Sequence, residues 1–458
     1  GLSSLSMKER IRPYLGDREF YKTVAVIAIP ISLQSLITIG VNMMDTIMLG
    51  SMGEVALSAS SLANQFINIF HICCMGIGMG ASVLTSRFWG MQDKDSLRKT
   101  ITIMYRLCFV FGLLFTAATI IAPDALMRIY TSDEEVIRAG VSYFRWSVPC
   151  YWLLGFSLTT TIVLRSVGQV KLPLLCSVIA FFINIFFNWV FIFGKLGAPR
   201  MEVAGAAVGT LISRTFEFLF ICGYFLFFDK KVSYRVKMIL MKCGDLLKDY
   251  LRISIPVLVS DGLLAFGNSA VAMVMGRIGK EFVSANAITM VVQQLSTVFI
   301  QGISNASSII TGHTLGAGDT ERAQRQGVTF LGLGTVIGVL AGGLIMILSW
   351  PVINCYNVTG ETKAIAEQLM LAVGVIVIFQ SMNSILTKGV LRGGGDTKFL
   401  MLADILFLWI ASIPLGYLAG LVWHLPAFWI YTFLKIDQFI KAVWCVFRLG
   451  SKKWIKKI

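Results

Sequence analysis

Residues 23–50 read TVAVIAIPISLQSLITIGVNMMDTIMLG, and in this stretch Asp45 is the one charged residue. About 20 apolar residues in a helix are enough to cross the roughly 30 Å hydrocarbon core of a bilayer. This stretch therefore predicts a transmembrane helix over 23–49. A single carboxylate inside such a helix needs either a partner or a function.

Similar apolar stretches recur along the whole chain. Of its 458 residues, 56% are apolar and 14% are charged, and the mean hydropathy is +0.75. Ordinary globular domains have about 25% charged residues, so this composition excludes most soluble enzymes. The pattern predicts twelve transmembrane segments, at 23–49, 57–84, 101–122, 141–164, 172–194, 203–228, 252–275, 283–311, 328–350, 366–390, 399–420 and 425–447.

The two halves of the sequence are related by an internal repeat. Residues 27–100 align without gaps on residues 253–326, so that IAIP at Ile27–Pro30 falls on ISIP at Ile253–Pro256. The same alignment keeps several loop and helix residues in phase, namely Gly50 with Gly276, Gly90 with Gly316 and Asp93 with Asp319. Because six is an even number of crossings, both halves begin on the same side of the membrane and have the same orientation. We therefore predict an all-α membrane protein of two six-helix bundles, as parallel repeats around a central cleft.

Basic residues mark the predicted boundaries. Lys and Arg concentrate near the first terminus, in connectors and in the tail, which by the positive-inside rule places both termini in the cytoplasm. The predicted organisation is a cytoplasmic N-terminal segment at 1–22, an N-lobe at 23–228, a cytoplasmic linker at 229–251, a C-lobe at 252–447 and a basic tail at 448–458. The net charge of +15 forms no continuous basic face in the sequence, so we predict no nucleic-acid partner.

Three intramembrane carboxylates are candidates for function. Asp45 lies about one turn before the end of the first segment, where it either reaches interfacial water or binds an ion. Asp261 lies nine residues after Arg252, which is about 14 Å along a helix and near the bilayer midplane. It either pairs with a neighbouring helix or serves the transport path. Asp404 lines either the inner cleft or a lateral pocket of the second half.

Amides add hydrogen-bonding capacity to the predicted helices. Asn184 and Asn188 share one helix face, and two such amides can ligate a cation, hold water or bridge helices. Gln34 is either a ligand or a residue that joins helices. Arg214 and Glu217, three residues apart, are interpreted as a self-neutralised structural pair.

The sequence contains no nucleotide-binding, metalloprotease or serine-hydrolase motif. We therefore expect no enzymatic activity and no cofactor. Uphill transport would then draw on an ion gradient, and a carboxylate that exchanges Na⁺ or H⁺ for another ligand can provide the coupling.

Several motifs resemble the multidrug and toxic compound extrusion (MATE) family over nearly the whole chain. They are VNMMDTIMLGSMG at Val41–Gly53, LRSVGQVKLP at Leu164–Pro173, INIFFNWVFIFG at Ile183–Gly194, VAGAAVGT at Val203–Thr210 and VLRGGGDTKF at Val390–Phe399. The resemblance implies a multi-pass transporter of the cell membrane that exports organic cations or amphipathic compounds in exchange for Na⁺ or H⁺. Two lobes complete one pathway, so a monomer is expected to function.

The resemblance also assigns roles in the first lobe. Asp45 matches the family's first-helix carboxylate, which is implicated in ion coupling. Asn184 matches a fifth-helix asparagine of that site, Asn188 stands where several members have aspartate, and Thr210 matches a polar sixth-helix member. The implied Na⁺ ligands are Asp45, Asn184 and Asn188.

In the second lobe the sequence departs from the family pattern. One branch of the family carries a glutamate in helix seven and an aspartate in helix ten, and here Leu264 and Ser381 align with them. Asp261 and Asp404 are therefore the second-lobe candidates for ion or substrate binding.

Other functions stay open at this stage. A flippase of lipid-linked precursors would need a cluster of basic side chains for the pyrophosphate. The basic residues inside predicted helices look scattered instead, at Arg106, Arg145, Arg214 and Lys388, and Lys388 is interpreted as a side chain that reaches the interface. An organic-acid exporter and a receptor or scaffold without transport are the remaining alternatives.

Overall fold

The computed structural model describes Glu9 and residues 12–458, and residues 1–8, 10 and 11 of the predicted N-terminal segment lie outside the described residues. Every regular element in the described part is helical. The first half contains α1 (Arg18–Gly50), α2 (Glu54–Met91), α3 (Lys94–Ile121), α4 (Pro123–Tyr130), α5 (Glu134–Ser147), α6 (Cys150–Ser166), α7 (Lys171–Phe193) and α8 (Val203–Phe228). The second half contains α9 (Gly244–Ile278), α10 (Lys280–Ser296), α11 (Val298–Gly316), α12 (Thr320–Cys355), α13 (Gly360–Gly393), α14 (Thr397–Val422), α15 (Ala427–Leu434) and α16 (Ile436–Gly450).

The helices agree with the predicted twelve segments. Within the described residues, nine helices are long and apolar enough to cross a membrane. Two bent pairs raise that number to eleven, because α5 and α6 meet at 58° and α10 and α11 meet at 48°. Pro149 lies at the break of the first pair, directly before Cys150, and a proline has no backbone N–H with which to continue the hydrogen bonds of the preceding helix. The twelfth predicted segment, 425–447, corresponds to α15 and α16.

The internal repeat has structural counterparts. The Asp93 carboxylate accepts the backbone N–H of Ser96 at 3.1 Å and caps α3. Asp319, its partner in the repeat, accepts the N–H of Arg322 at 3.1 Å and caps α12 in the same way. A carboxylate at this position satisfies an orphan amide and favours the helix N-terminus electrostatically. Equivalent helices in the two halves of the repeat therefore begin with the same aspartate cap.

The chain divides into two compact units. One contains Leu33–Thr85 and Asp93–Ser254, and the other contains Ser86–Gln92, Ile255–Ile458 and the described residues up to Ser32. We call them the first and the second unit. The first helix contributes to both, so these bounds differ from the predicted lobe bounds, which stay a prediction.

Each unit has its own apolar core. In the first, Phe70, Tyr151 and Leu154 are buried together with small residues. In the second, Leu369 and Leu434 belong to a larger buried cluster. Large apolar side chains elsewhere on these helices are exposed, among them Leu114, Ile121, Phe182, Leu219, Met273, Leu340, Ile347 and Phe447. Such exposure suits helices whose solvent is lipid.

Several long helices include π-helical turns, at Tyr224–Phe228, Leu386–Val390, Ile405–Ser412 and Leu418–Val422. A π turn widens a helix locally and often marks a functional position. One of them contains Lys388, and another begins directly after Asp404. Both of these turns lie in the second unit.

Candidate functional site

A polar cluster in the first unit is formed by Asp45 on α1 and by Asn184 and Asn188 on α7; we call it the N-half cluster. Asn188 Nδ2 donates to Asp45 Oδ1 at 2.5 Å and to Asn184 Oδ1 at 3.0 Å. Both asparagines are buried and Asp45 is partly buried. The spacing of four residues on α7 is what aligns the two amides on one face. One amide group therefore holds two oxygen acceptors side by side.

The arrangement of Asn188 depends on close packing between α7 and α8. A Cβ added to Gly209 of α8 would overlap Asn188 Oδ1, so a glycine is needed there for α7 and α8 to approach. Asn188 Oδ1 is itself buried and without a hydrogen-bond partner. Thr210 follows Gly209 and is partly buried, but in the described structure it makes no hydrogen bond to Asp45 or to either asparagine.

The charge on Asp45 has no ion-pair partner in the part of the chain that the structure describes. Arg214 is close enough to interact electrostatically with Asp45. The Nη1 of Arg214, however, forms an ion pair with Glu217 Oε2 at 3.0 Å. This geometry agrees with the predicted self-neutralised pair. Asp45 is therefore a carboxylate held by a neutral amide in a transmembrane helix. Chemically, it can accept a proton or contribute oxygens to a cation site.

Gln34 does not belong to the N-half cluster. Its side-chain oxygen accepts a hydrogen bond from Arg165 Nη2. Gln34 lies eleven residues before Asp45 on the same helix, or about 16 Å along its axis. In this structure Gln34 is the partner of an intramembrane arginine.

In the second unit, the predicted carboxylates are paired with cations. Arg392 Nη2 lies 3.4 Å from Asp261 Oδ1, so Asp261 pairs with a neighbouring helix, one of the two alternatives. Lys441 Nζ on α16 lies 2.9 Å from Asp404 Oδ1 and 3.4 Å from Asp437 Oδ2. Ser260 Oγ also donates to Asp404. The lysine ammonium thus occupies the position that a bound cation would take between the two carboxylates.

Four of these groups, Arg392, Asp404, Asp437 and Lys441, line a cavity of about 250 Å³ in the second unit, which we call the C-half cavity. Its polar lining consists of Asn268, Gln293, Gln380, Asn383, Ser384, Thr387, Lys388, Arg392, Asp404, Lys435, Asp437, Gln438 and Lys441. The cavity corrects the interpretation of Lys388 as an isolated interfacial side chain, because it shares this wall with three other cations. Of the four basic residues that look scattered along the sequence, only Lys388 lines this cavity, and the cations that join it there are Arg392, Lys435 and Lys441.

Sequence reasoning missed Lys435, Asp437 and Lys441. All three lie within the segment 425–447, which counts as apolar because its remaining residues outweigh them. The spacing of Asp437 and Lys441, four residues apart in KIDQFIKAV, was the available signal for an intrahelical ion pair.

Comparison with known proteins decides the family. Residues 30–190 and 256–418, more than two thirds of the chain, match the family model MatE. The chain belongs to the MatE family. The resemblance seen in the sequence motifs is thereby confirmed, and the two matched ranges correspond to the two halves of the repeat.

Relatives of this MatE-family chain cover nearly its whole length. The probable multidrug resistance protein NorM of Thermotoga maritima is 25% identical over 444 residues, which make up 96% of this chain and 94% of that protein. The probable multidrug resistance protein NorM of Mesorhizobium japonicum is 28% identical over 438 residues, or 91% and 90% of the two chains. A crystal structure of MATE in the straight conformation has a TM-score of 0.86 at 20% identity, and it covers 97% of this chain and 98% of that one.

The two second-lobe positions at which this MatE chain departs from the family pattern carry no charge. Leu264 lines the C-half cavity, and buried Ser381 donates to the backbone oxygen of Gly334 at 2.7 Å. Within the described residues, no group of three or more His, Cys, Asp or Glu side chains could hold a metal ion. In the N-half cluster, Asn188 turns its amide nitrogen, which is not a metal ligand, toward Asp45. Asp45 and Asn184 are the members whose oxygens face that nitrogen, while Asn188 Oδ1 faces Gly209 and has no hydrogen-bond partner in the described structure.

Proposed function

We propose that this MatE-family protein is a secondary active antiporter that exports organic cations or amphipathic compounds across the cell membrane in exchange for Na⁺ or H⁺. It works by alternating access, moves solutes without a chemical reaction and needs no cofactor. Both termini lie in the cytoplasm, and a monomer is the functional unit. The names of the NorM relatives, which describe multidrug resistance, support the substrate class.

The observation that carries the proposal is the isolated carboxylate of Asp45. It accepts a hydrogen bond from Asn188 and has no ion pair among the described residues. A carboxylate inside a transmembrane helix costs about 2.5–3.5 kcal/mol on insertion scales unless it is neutralised. A proton or a sodium ion supplies that neutralisation from one side of the membrane. Binding the ion and binding a cationic substrate at the same carboxylate then become mutually exclusive, which is the requirement for exchange.

The roles within the N-half cluster follow from its contacts. Asp45 binds the coupling ion, Asn184 Oδ1 supplies a second oxygen, and Asn188 holds the two oxygens together. Thr210 makes no hydrogen bond to the cluster in the described structure, so its role is the one that the family resemblance implies, a polar member of this site on α8. A protonated Asp45 needs no further ligand, so the same geometry serves H⁺ coupling.

The test is efflux of a fluorescent organic cation from proteoliposomes, driven separately by a Na⁺ gradient and by a pH gradient. We expect one gradient to drive efflux and the Asp45→Asn variant to lose it. Glu135→Gln, a carboxylate-to-amide change on α5 away from the cluster, should transport like the wild type. Coupled efflux that is unchanged in Asp45→Asn would remove Asp45 from the mechanism, and absence of flux under either gradient would reject the substrate class.

A further inference from the structure

The C-half cavity collects more positive than negative charge. Four cationic side chains line it, namely Lys388, Arg392, Lys435 and Lys441. Two carboxylates, Asp404 and Asp437, line it as well, and a third, Asp261, contacts Arg392. Four cations against three carboxylates leave a net charge of about +1 in a membrane-embedded pocket, where an unbalanced charge is costly.

Two lysines account for the positive excess, because they contribute +2 while the group of Lys441, Asp404 and Asp437 contributes −1 and the pair of Arg392 and Asp261 contributes 0. Lys441 is held between its two carboxylates, whereas Lys388 and Lys435 form no ion pair within the described residues. Lys388 is exposed although the residues around it on α13 are buried, because its side chain faces the open cavity. An ammonium group without a partner at this depth is unusual unless something else binds it.

Arg392 provides an independent sign of a missing partner. The residue is 7% exposed, and its Nη2 contacts Asp261, but its Nε is buried and has no hydrogen-bond acceptor among the described residues. A guanidinium prefers to bind carboxylate or phosphate through two parallel N–H groups, and here one donor is unused.

The remaining lining suits a small, polar ligand. Gln293 and Gln380 hydrogen-bond each other at 3.1 Å, and Asn383 donates to Gln438, so amide groups surround the cations. Small-molecule pockets commonly have volumes of about 300–1,000 Å³, so this cavity is at the small end of the range. A bulky drug would not fit within it, whereas a compact anion would.

We propose that the C-half cavity binds a small organic anion with carboxylate or phosphate groups, and that Lys388, Lys435 and Arg392 are its ligands. The anion adds charge-assisted hydrogen bonds to the two unpaired lysines and to the unused donor of Arg392. This site is distinct from the N-half cluster and goes beyond the export of cations. Its occupancy does not depend on which ion drives transport.

The test is isothermal titration of the full-length protein in phosphatidylcholine nanodiscs, with succinate and inorganic phosphate as probes and neutral succinamide as the comparison. We expect succinate or phosphate to bind and succinamide not to bind. Lys388→Gln and Lys435→Gln should each weaken binding at least about tenfold, which corresponds to about 1.4 kcal/mol. Lys363→Gln, on the same helix α13 but outside the cavity lining, is the matched control and should bind like the wild type.

Further variants and lipids keep the test decisive. Lys388→Arg and Lys435→Arg keep the positive charge and should retain binding. Asp261→Asn removes a negative charge beside Arg392 and should strengthen binding. This variant tests the proposal even where the Gln variants fold poorly. Repeating the titration in phosphatidylglycerol nanodiscs separates the two sources of the anion: unchanged succinate affinity assigns the site to soluble anions, and competition assigns it to a lipid headgroup. Equal affinity of wild type and Gln variants, or no binding of either probe, would overturn the proposal.

Discussion

The two halves of this repeat handle intramembrane charge in opposite ways. In the first unit, Asp45 accepts a hydrogen bond from the neutral amide of Asn188 and forms no ion pair with any residue that the structure describes. In the second unit, Asp404 and Asp437 share the ammonium of Lys441. The repeat has thus preserved helices and caps while the charges diverged. A carboxylate without a resident cation suits an exchangeable ion, whereas a carboxylate with a tethered lysine has its cation permanently in place.

The same contrast appears at one repeated arginine. Arg165 in Leu164–Gly168 and Arg392 in Leu391–Gly395 are equivalent when the register of the repeat is shifted by one residue. Both have a buried Nε without an acceptor in the part of the chain that the structure describes. Arg165 donates to the neutral side chain of Gln34, and Arg392 pairs with the carboxylate of Asp261. The two partners come from neighbouring positions of the repeat, because Gln34 aligns with Ser260 and Asp261 aligns with Ser35. One arginine therefore meets a neutral side chain and the other meets a charged one.

The largest effect should come from removing the cation of the second unit. Lys441→Met leaves Asp404 and Asp437 buried close together without a counter-charge. Breaking a buried pair in this way typically costs about 3–5 kcal/mol. We expect a clear loss of thermal stability, measured by unfolding of the full chain in detergent.

The matched control for Lys441→Met also removes the two carboxylates. In Asp404→Asn/Asp437→Asn/Lys441→Met no buried charge is left unpaired, so most of the stability should return. A single Lys441→Met variant as stable as the wild type would contradict the idea that this lysine balances the second unit.

A smaller effect should follow from crowding the N-half cluster without changing any charge. In Gly209→Ala the new methyl group displaces Asn188 from Asp45, and overpacking of this kind costs about 1–3 kcal/mol. Coupled efflux from proteoliposomes should fall, while succinate binding in the second unit should not change.

Gly223 on the same helix α8 offers the control, since a Cβ there meets nothing within 4 Å. Gly223→Ala should leave efflux intact and shift stability by no more than about 1 kcal/mol. Equal loss of efflux in both alanine variants would mean that helix flexibility matters here and the position of Asn188 does not.

Exchanging the partners of the two arginines tests the comparison directly. Gln34→Glu gives Arg165 a carboxylate, and Asp261→Asn gives Arg392 an amide. A carboxylate adds a Coulomb attraction to the hydrogen bond that the charged arginine already makes, so the first change should stabilise and the second should destabilise, each by about 1 kcal/mol or more. Thermal unfolding of both variants measures this, and shifts of the same sign would show that partner charge is not what separates the halves.

The smallest effect is expected in the linker, which belongs to neither site. Tyr234 is buried, and its hydroxyl hydrogen-bonds Thr102 Oγ1 at 2.9 Å. Tyr234→Phe should cost about 1 kcal/mol and leave efflux and anion binding unchanged. A change in either transport or binding would show that the linker influences the sites.

The same tyrosine predicts a pH dependence. Burial raises the pKa of Tyr234 to about 12, whereas an unfolded tyrosine titrates near 10. Between these values the folded state holds a proton that the unfolded state has lost, so stability should fall as pH rises from about 10 to 12. Unfolding as a function of pH should show a weaker decline in Tyr234→Phe than in the wild type.

The sequence predicted the N-half cluster better than the C-half cavity. Asn184 and Asn188 share a helix face by spacing alone, and the family resemblance joined them to Asp45. Lys435 and Lys441 carried no comparable signal, because the mean hydropathy of the segment that contains them is apolar. Their meeting with Lys388 and Arg392 depends on α13 packing against α16, and no spacing along the chain encodes that contact.

The sequence by itself determined the membrane class, the twelve segments and the repeat. These features depend on hydropathy, helical periodicity and loop residues, which are properties of contiguous stretches of the chain. Only the tertiary structure decided which charges are balanced, because a Coulomb interaction depends on distance in space and on the medium around it. From the sequence, Asp45, Asp261 and Asp404 were all candidate intramembrane carboxylates for ion or substrate binding, with no resident cation predicted for any of them. Folding leaves Asp45 with an amide and gives the other two resident cations, and this difference separates the two halves.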